Sequence, residues 1–175
     1  VNEGPVTRIS EAEIIGNKAF TELKLKQELP NFVGREYSRA RARNGVQKLA
    51  EFYANEGYFD ARITYTIVEL TPDNKDGATD DLVKIVYNVE TEGKKVFINR
   101  ILINGNERTE RDAVFRVISL KEGNLLKIVD IAGSEQNLYA TGAFRRVEIK
   151  SEPAGATVSG DSQRDVIINL EEEKQ

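Results

Sequence analysis

Four aspartates, Asp73, Asp76, Asp80 and Asp81, crowd one polar stretch, a carboxylate density that could bind calcium weakly through oxygen ligands. They lack the ligand order of an EF-hand loop, so a solvated connection between two strands accounts for them better. Glu11 and Glu13 share one strand face, the arrangement of a general acid and base. Nothing beside them suggests such work. Gly16-Asn17 and Gly105-Asn106 invite comparison with phosphate-binding loops, but neither carries the glycine and lysine spacing that cradles a phosphate. They read as structural turns. Cysteine and histidine are both absent, which removes disulfides, thiolate chemistry, the usual zinc ligands and the ordinary general base near neutral pH. The formal net charge of −4 argues against a nucleic-acid partner, which needs a basic face. The expectation is a non-enzymatic protein with no cofactor, no metal and no small-molecule substrate.

The elements that hold these residues occur twice. Ile9, Ile14, Gly16-Asn17, Leu25, Leu29, Gly34 and Leu49 match Ile98, Ile103, Gly105-Asn106, Val114, Ile118, Gly123 and Leu138, all at the offset of 89 that takes Gly16 to Gly105. One register over that length means two copies of one small domain, here residues 1–92 and 93–175.

In the first copy a strand is predicted near Thr7 to Ile15. A helix over about Thr21 to Leu29 follows the turn, with Leu25, Leu29 and Phe32 on one face and Pro30 and Gly34 ending it. The second helix, Ser38 to Glu56, carries the stripe Ala42, Val46, Leu49, Ala50 and Tyr53, and Gly57 stands where a left-handed cap belongs. Then Ala61, Ile63, Tyr65 and Ile67 alternate with Arg62, Thr64 and Thr66, as in a half-buried strand. After the polar loop Thr71 to Asp81, Val83, Ile85, Tyr87 and Val89 alternate likewise.

The second copy predicts a strand over Val96 to Asn104. A helix is expected from Thr109, with Asp112 completing something like a capping box. A second helix follows over about Leu126 to Thr141, with Gly142 as the cap. Strands near Arg145 to Lys150 and Asp165 to Glu171 close it, joined by the Gly-, Ser-, Pro- and Asp-rich loop Ser151 to Arg164, expected to be mobile. The order in both copies is βααββ. Only Glu92-Gly93-Lys94 joins them, which implies a restricted angle. Gly45 and Gly133, one residue out of register, suggest a close backbone approach, such as to the other helix, or are two tolerated glycines. Tyr53, Tyr139, Phe59 and Phe144 read as core or cap-packing residues. No window approaches the roughly 18 to 20 apolar residues of a membrane helix. The chain begins at Val1 without an initiating Met and reads as a fragment of a longer protein, so missing targeting signals say nothing of location.

The run Val96-x-Ile98-x-x-Ile101-x-Ile103-x-Gly105-Asn106, a helix ending before Gly123, and Leu138-Tyr139-x-x-Gly142-x-Phe144 resemble a POTRA (polypeptide-transport-associated) domain. Tyr53-x-x-x-Gly57-Tyr58-x-x-Ala61 in the first copy resembles the same helix-to-strand turn. The resemblance implies an α+β fold of two tandem βααββ domains, each a three-stranded mixed sheet covered on one face by two helices. It also implies the periplasmic arm of an outer-membrane assembly factor, similar to the BamA-like proteins, with a carboxy-terminal barrel beyond this chain. Its implied partners are unfolded outer-membrane client chains and accessory lipoproteins. Glu171-Glu172-Glu173 would precede either another repeat or that barrel.

In such a fold the strand after the second helix lies at a sheet edge, where an extended chain can pair by β-augmentation. The candidate edges are Asp60 to Val68, with Arg62, Ile63, Thr64, Tyr65 and Thr66, and Arg145 to Lys150, with Arg146, Glu148 and Lys150. Arg62, Thr64 and Thr66 should point away from the helices, and so should Arg146, Glu148 and Lys150. A proline at Thr64 or Thr66 is expected to remove an edge donor. Charged edges can equally serve only to block aggregation, most plausibly in the second copy, whose strand is short. Two alternatives stay open: the arm of a dedicated secretion or autotransporter-assembly factor, and a spacer whose edges bind nothing.

Overall fold

Alternating apolar residues on the strands and one apolar stripe per helix leave each copy a single way to bury its core. The computed structural model describes residues 6–70, 81–154 and 162–173. The elements are β1 (Arg8–Ile15), α1 (Glu22–Glu28), α2 (Arg39–Asn55), β2 (Arg62–Leu70), β3 (Leu82–Thr91), β4 (Val96–Asn104), α3 (Arg111–Val117), α4 (Ile128–Ala140), β5 (Phe144–Pro153) and β6 (Ser162–Glu172). The chain divides into two compact units, Val1–Tyr53 with Asp60–Glu92, and Ala54–Phe59 with Gly93–Gln175.

The first unit is a three-stranded mixed sheet in the order β1-β3-β2, with β3 parallel to β1 and antiparallel to β2. The last strand in sequence is therefore central. Val83, Ile85, Tyr87 and Val89 are buried on one face of it, and Val86 is nearly buried on the other. Thr21 caps α1, its hydroxyl accepting the Lys24 N–H at 3.3 Å, and Leu25 is fully buried. Ala42, Leu49 and Tyr53 of α2 are fully buried too, and the Tyr87 hydroxyl donates to the Ala42 carbonyl at 3.3 Å.

The second unit repeats this in the order β4-β6-β5, with β6 parallel to β4 and antiparallel to β5. Its core gathers Ile101, Val114, Leu126, Leu138, Val166 and Ile168 with their neighbours. Each first strand carries a register break, between Ile9 and Glu11 and between Ile98 and Ile101. The extra residues tie back to the centre: the Ser10 hydroxyl donates to the Val83 carbonyl at 3.1 Å, and Asn99 Nδ2 donates to Asp165 Oδ1 at 2.6 Å.

Several expectations change. The helix expected from Thr109 starts at Arg111, with Glu110 at the cap and no side-chain capping bond. Register explains it, because Glu110 stands where the first copy has Thr21. Thr109 lies in the preceding turn, its carbonyl accepting from Asn106 Nδ2 at 3.0 Å. Gly45 and Gly133 do not share a role. A side chain at Gly45 would run into the Tyr87 ring of β3, not the other helix, whereas one at Gly133 would meet nothing within 4 Å. The true counterpart of Gly45 is Ser134, the one buried polar residue among those described. The strand expected at Arg145 to Lys150 extends over Phe144–Pro153, and β6 begins at Ser162, so both ends of the predicted loop Ser151 to Arg164 are strand. Residues 155–161 of that loop, and Asp73, Asp76 and Asp80, lie outside the described residues. Tyr139 is not core but 47% exposed.

Candidate functional site

The sheet edges are built alike at one side and differently at the other. At β1 the outer backbone groups are already bonded within the unit. The Ile9 N–H donates to the Arg35 carbonyl at 2.9 Å, and the Gly34 N–H donates to the Ile9 carbonyl at 2.7 Å. At β4 the Ile98 N–H donates to the Asn124 carbonyl at 2.8 Å, and the Gly123 N–H donates to the Ile98 carbonyl at 2.7 Å. Both first strands are thus covered over part of their length by the chain leading into the second helix.

At β2 the backbone parity follows from its neighbour. The carbonyls of Asp81 and Val83 accept from Arg8 and Ser10 on the β1 side. A strand's N–H and C=O groups alternate sides residue by residue, so Lys84, Val86 and Asn88 face β2. Their partners there, Val68, Thr66 and Thr64, use their backbone groups inside the sheet. Ile63, Tyr65 and Ile67 direct theirs outward. No described residue hydrogen-bonds those outer groups. This parity is the reverse of the one expected from the sequence: a proline at Thr64 or Thr66 would break the ladder with β3, not the outer edge. The direction of a side chain does not give this parity, because the backbone groups of one residue lie in the sheet plane, at right angles to its side chain.

The side chains sit as the alternation implies. Arg62, Thr64 and Thr66 are exposed, Ile63 is buried and Tyr65 half-buried. Thr64 Oγ1 donates to Glu90 Oε1 at 3.2 Å. Tyr65 lies beside Tyr37, whose hydroxyl is pushed up by burial and then by Tyr65.

In the second unit Arg146, Glu148 and Lys150 line the outer face of β5, with Val147 and Ile149 buried against the helices. Lys150 pairs with Glu148 at 3.1 Å and Arg146 with Glu171 at 3.9 Å. The Lys150 bond holds the Glu148 carboxyl below its usual range. Here three of the outer backbone groups are occupied, both of Val147 and the N–H of Ile149. The Tyr139 hydroxyl accepts from the Val147 N–H at 3.0 Å and lies 3.2 Å from the Val147 carbonyl, to which it donates. Glu135 Oε1 accepts the Ile149 N–H at 3.0 Å. The sequence reading missed both residues. The signal was available, because Tyr139 and Glu135 match Ala50 and Val46 of the first copy.

The turns are structural. Gly16 and Gly105 take positive φ, +79° and +82°, and a side chain at either would meet a carbonyl of the central strand, Val89 or Leu170. Asn17 Nδ2 donates to the Phe20 carbonyl at 2.8 Å. The amides that could hold an anion are filled by the chain itself. The Lys18 and Ala19 N–H groups donate to Glu92 at 2.8 and 2.9 Å, and those of Arg108 and Thr109 to Glu172 at 3.0 and 2.7 Å. Burial works to raise the Glu92 carboxyl, but these N–H groups and the Tyr53 hydroxyl hold it below its usual range. Against the same burial cost, Arg108 and Thr109 hold Glu172 down to about 2. Gly57 and Gly142, at φ +90° and +70°, follow their helices as caps. Glu11 and Glu13 straddle Lys84 at 3.7 and 2.8 Å, an exposed ion cluster that raises the lysine, chiefly through Glu13.

Comparison with known proteins agrees with this architecture. The POTRA family model, described as a surface antigen variable number repeat, matches residues 7–92 and 96–173. The chain is 31% identical over 134 residues to a Treponema pallidum (strain Nichols) protein provisionally named an outer membrane protein assembly factor, covering 74% of this chain and 16% of that protein. It is 22% identical over 166 residues to the outer membrane protein assembly factor BamA of Neisseria meningitidis serogroup B, covering 87% of this chain and 20% of that one. The chain therefore spans a fifth or less of the length of these relatives. The crystal structure of Haemophilus influenzae BamA POTRA3-5 shares its fold, with a TM-score of 0.68 at 19% identity, over 95% of this chain and 61% of that one. With both copies matched in sequence and each folded as a βααββ unit, the chain belongs to the POTRA family and carries two of its domains in tandem.

Proposed function

We propose that this pair of domains is part of the periplasmic arm of an outer-membrane β-barrel assembly factor. In that arm it acts as a non-catalytic binding module that takes extended client segments on β2. The observation that carries the reading is the row of outward backbone groups at Ile63, Tyr65 and Ile67. Alternate N–H and C=O groups at strand spacing are matched by one kind of partner, another extended backbone, which adds as a further strand. Backbone pairing is largely blind to sequence and so suits a receiver of many unfolded outer-membrane chains. Thr64 and Thr66 beside that row, with Arg62 at its start, would contribute modest selectivity through the alternate side chains. Accessory lipoproteins and a carboxy-terminal barrel belong to the same reading, which is supported by the chain's likeness to assembly factors several times its length.

Ile67→Pro tests it. The outward N–H is lost there while the ladder with β3 keeps its donors, a position where proline is tolerated on an edge strand. Binding of a synthetic peptide with the sequence of an outer-membrane barrel strand should weaken about tenfold, the scale of one or two lost hydrogen bonds with added steric exclusion. Unchanged affinity in folded Ile67→Pro and Tyr65→Pro variants would remove β2 as the docking edge.

A further inference from the structure

We propose that Tyr139 and Glu135 form a latch that closes the β5 edge to strand addition, so that of the two homologous edges only β2 accepts an extended polypeptide. The inference takes its meaning from the proposed strand-docking function of β2, but the latch itself stands on hydrogen bonds within the second unit.

A strand adding to β5 would need the outward groups of Val147 and Ile149, which pair with Leu170 and Ile168 across the sheet and face away from it. Tyr139 occupies both groups of Val147, its hydroxyl accepting at 3.0 Å from the N–H and donating at 3.2 Å to the carbonyl. One side-chain oxygen thus takes the place of a whole rung of a neighbouring strand. Glu135, one turn earlier on α4, takes the next outward N–H, that of Ile149, at 3.0 Å. The spacing of four residues puts both side chains on one helix face, which lies along β5.

The first unit has the same topology without these groups, and its α2 approaches β2 less closely than α4 approaches β5. Ala50 and Val46 stand at the matching positions of α2, and neither side chain carries an acceptor or donor. The Ile63 and Tyr65 backbone groups, counterparts of Val147 and Ile149 by their pairing with Val89 and Tyr87, meet no described donor or acceptor. The two polar side chains, on a helix that lies closer to its edge strand, therefore distinguish the shut edge from the open one. The latch is held by exposed contacts: Tyr139 is 47% exposed, so a strand competing for Val147 displaces a side chain and leaves the core intact.

The test exchanges the residues between copies. Tyr139→Ala with Glu135→Val gives the second unit what the first has, and Tyr139→Phe with Glu135→Gln is a milder variant that keeps ring and shape while removing the hydroxyl and the charge. In the unliganded chain the Val147 amide should exchange with solvent about five- to tenfold faster in both variants, on the scale of one lost hydrogen bond. The Ile149 amide should follow in the first. Because the chain has no native cysteine, Thr66→Cys and Lys150→Cys report separately on β2 and β5 by disulfide capture of a barrel-strand peptide carrying one cysteine. Capture at position 150 should appear only when the latch residues are exchanged. Unchanged Val147 exchange in both folded variants, or equal capture at position 150 with the latch intact, would overturn the latch. Loss of capture at position 66 with the exchange result upheld would instead overturn the docking role of β2 and leave the latch standing.

Discussion

The hydroxyl of Tyr87 lies in the space that a side chain at Gly45 would fill, and it donates from there to the Ala42 carbonyl. The second unit solves the same packing problem with different residues. Ile168 pairs with Ile103 as Tyr87 pairs with Ile14, and Ser134 replaces Gly45. The ring and the missing side chain are a matched pair, and the second unit has an isoleucine and a serine at those two positions.

Gly45→Ala should therefore destabilise the first unit by about 1–3 kcal/mol, the usual cost of overpacking a filled core, although alanine is the better helix former. Gly45→Ser combined with Tyr87→Ile should cost less than the sum of the two single changes. Urea unfolding of the four proteins of the cycle checks the coupling, and strict additivity would contradict it.

Ser134 has a second duty. Its hydroxyl donates to the Asp130 carbonyl at 2.6 Å and accepts the Ser119 N–H at 3.0 Å. The first copy has Pro30 at the position of Ser119, so it has no N–H there to satisfy. Ser134→Ala should lower stability by about 1 kcal/mol, the net worth of a hydrogen bond to a part-buried donor. The Ser119 amide should lose its protection in hydrogen exchange.

The acid limb of stability should depend on Glu172. Its carboxyl is held at about 2 in the fold against an ordinary 4.5, and Glu92 is shifted the same way. A depressed carboxyl contributes stability that is whole above the unfolded value and is lost as pH falls toward the folded one. Urea midpoints should therefore drop between about pH 4.5 and 2. Glu172→Gln should be less stable at pH 7 and show a shallower drop. An unchanged acid slope would exclude Glu172 as its source.

Gly105 and Gly123 have nearly the same φ, +82° and +81°, but different surroundings. A side chain at Gly105 would strike the Leu170 carbonyl, while at Gly123 nothing lies within 4 Å. Gly123→Ala should cost about 1–2 kcal/mol, the left-handed backbone penalty alone. Gly105→Ala should cost clearly more, because the Gly105 turn and the central strand must also separate. Thermal denaturation of the two variants gives the comparison.

The sequence by itself determined the repeat, the βααββ order and the family. It located Val96–Asn104 residue for residue and put the edge strands after the second helices, because these depend on periodicity and turn chemistry read over a few neighbouring residues. Thr109 misled because a serine- or threonine-like cap pattern says nothing of where the helix axis starts. What only the tertiary structure decided was which groups meet across elements. Tyr139 reads as core or cap-packing because the aromatics recur in near register, yet its hydroxyl bonds both backbone groups of Val147 at the edge of β5. Glu92 looked like a joint residue, yet it caps a turn more than seventy residues earlier. The open backbone groups of Ile63, Tyr65 and Ile67 follow from the parity of β3 against β1, a relation between strands far apart in sequence. Side-chain pattern is local, whereas hydrogen-bond partnership is set by register between distant strands and by the helix laid beside them.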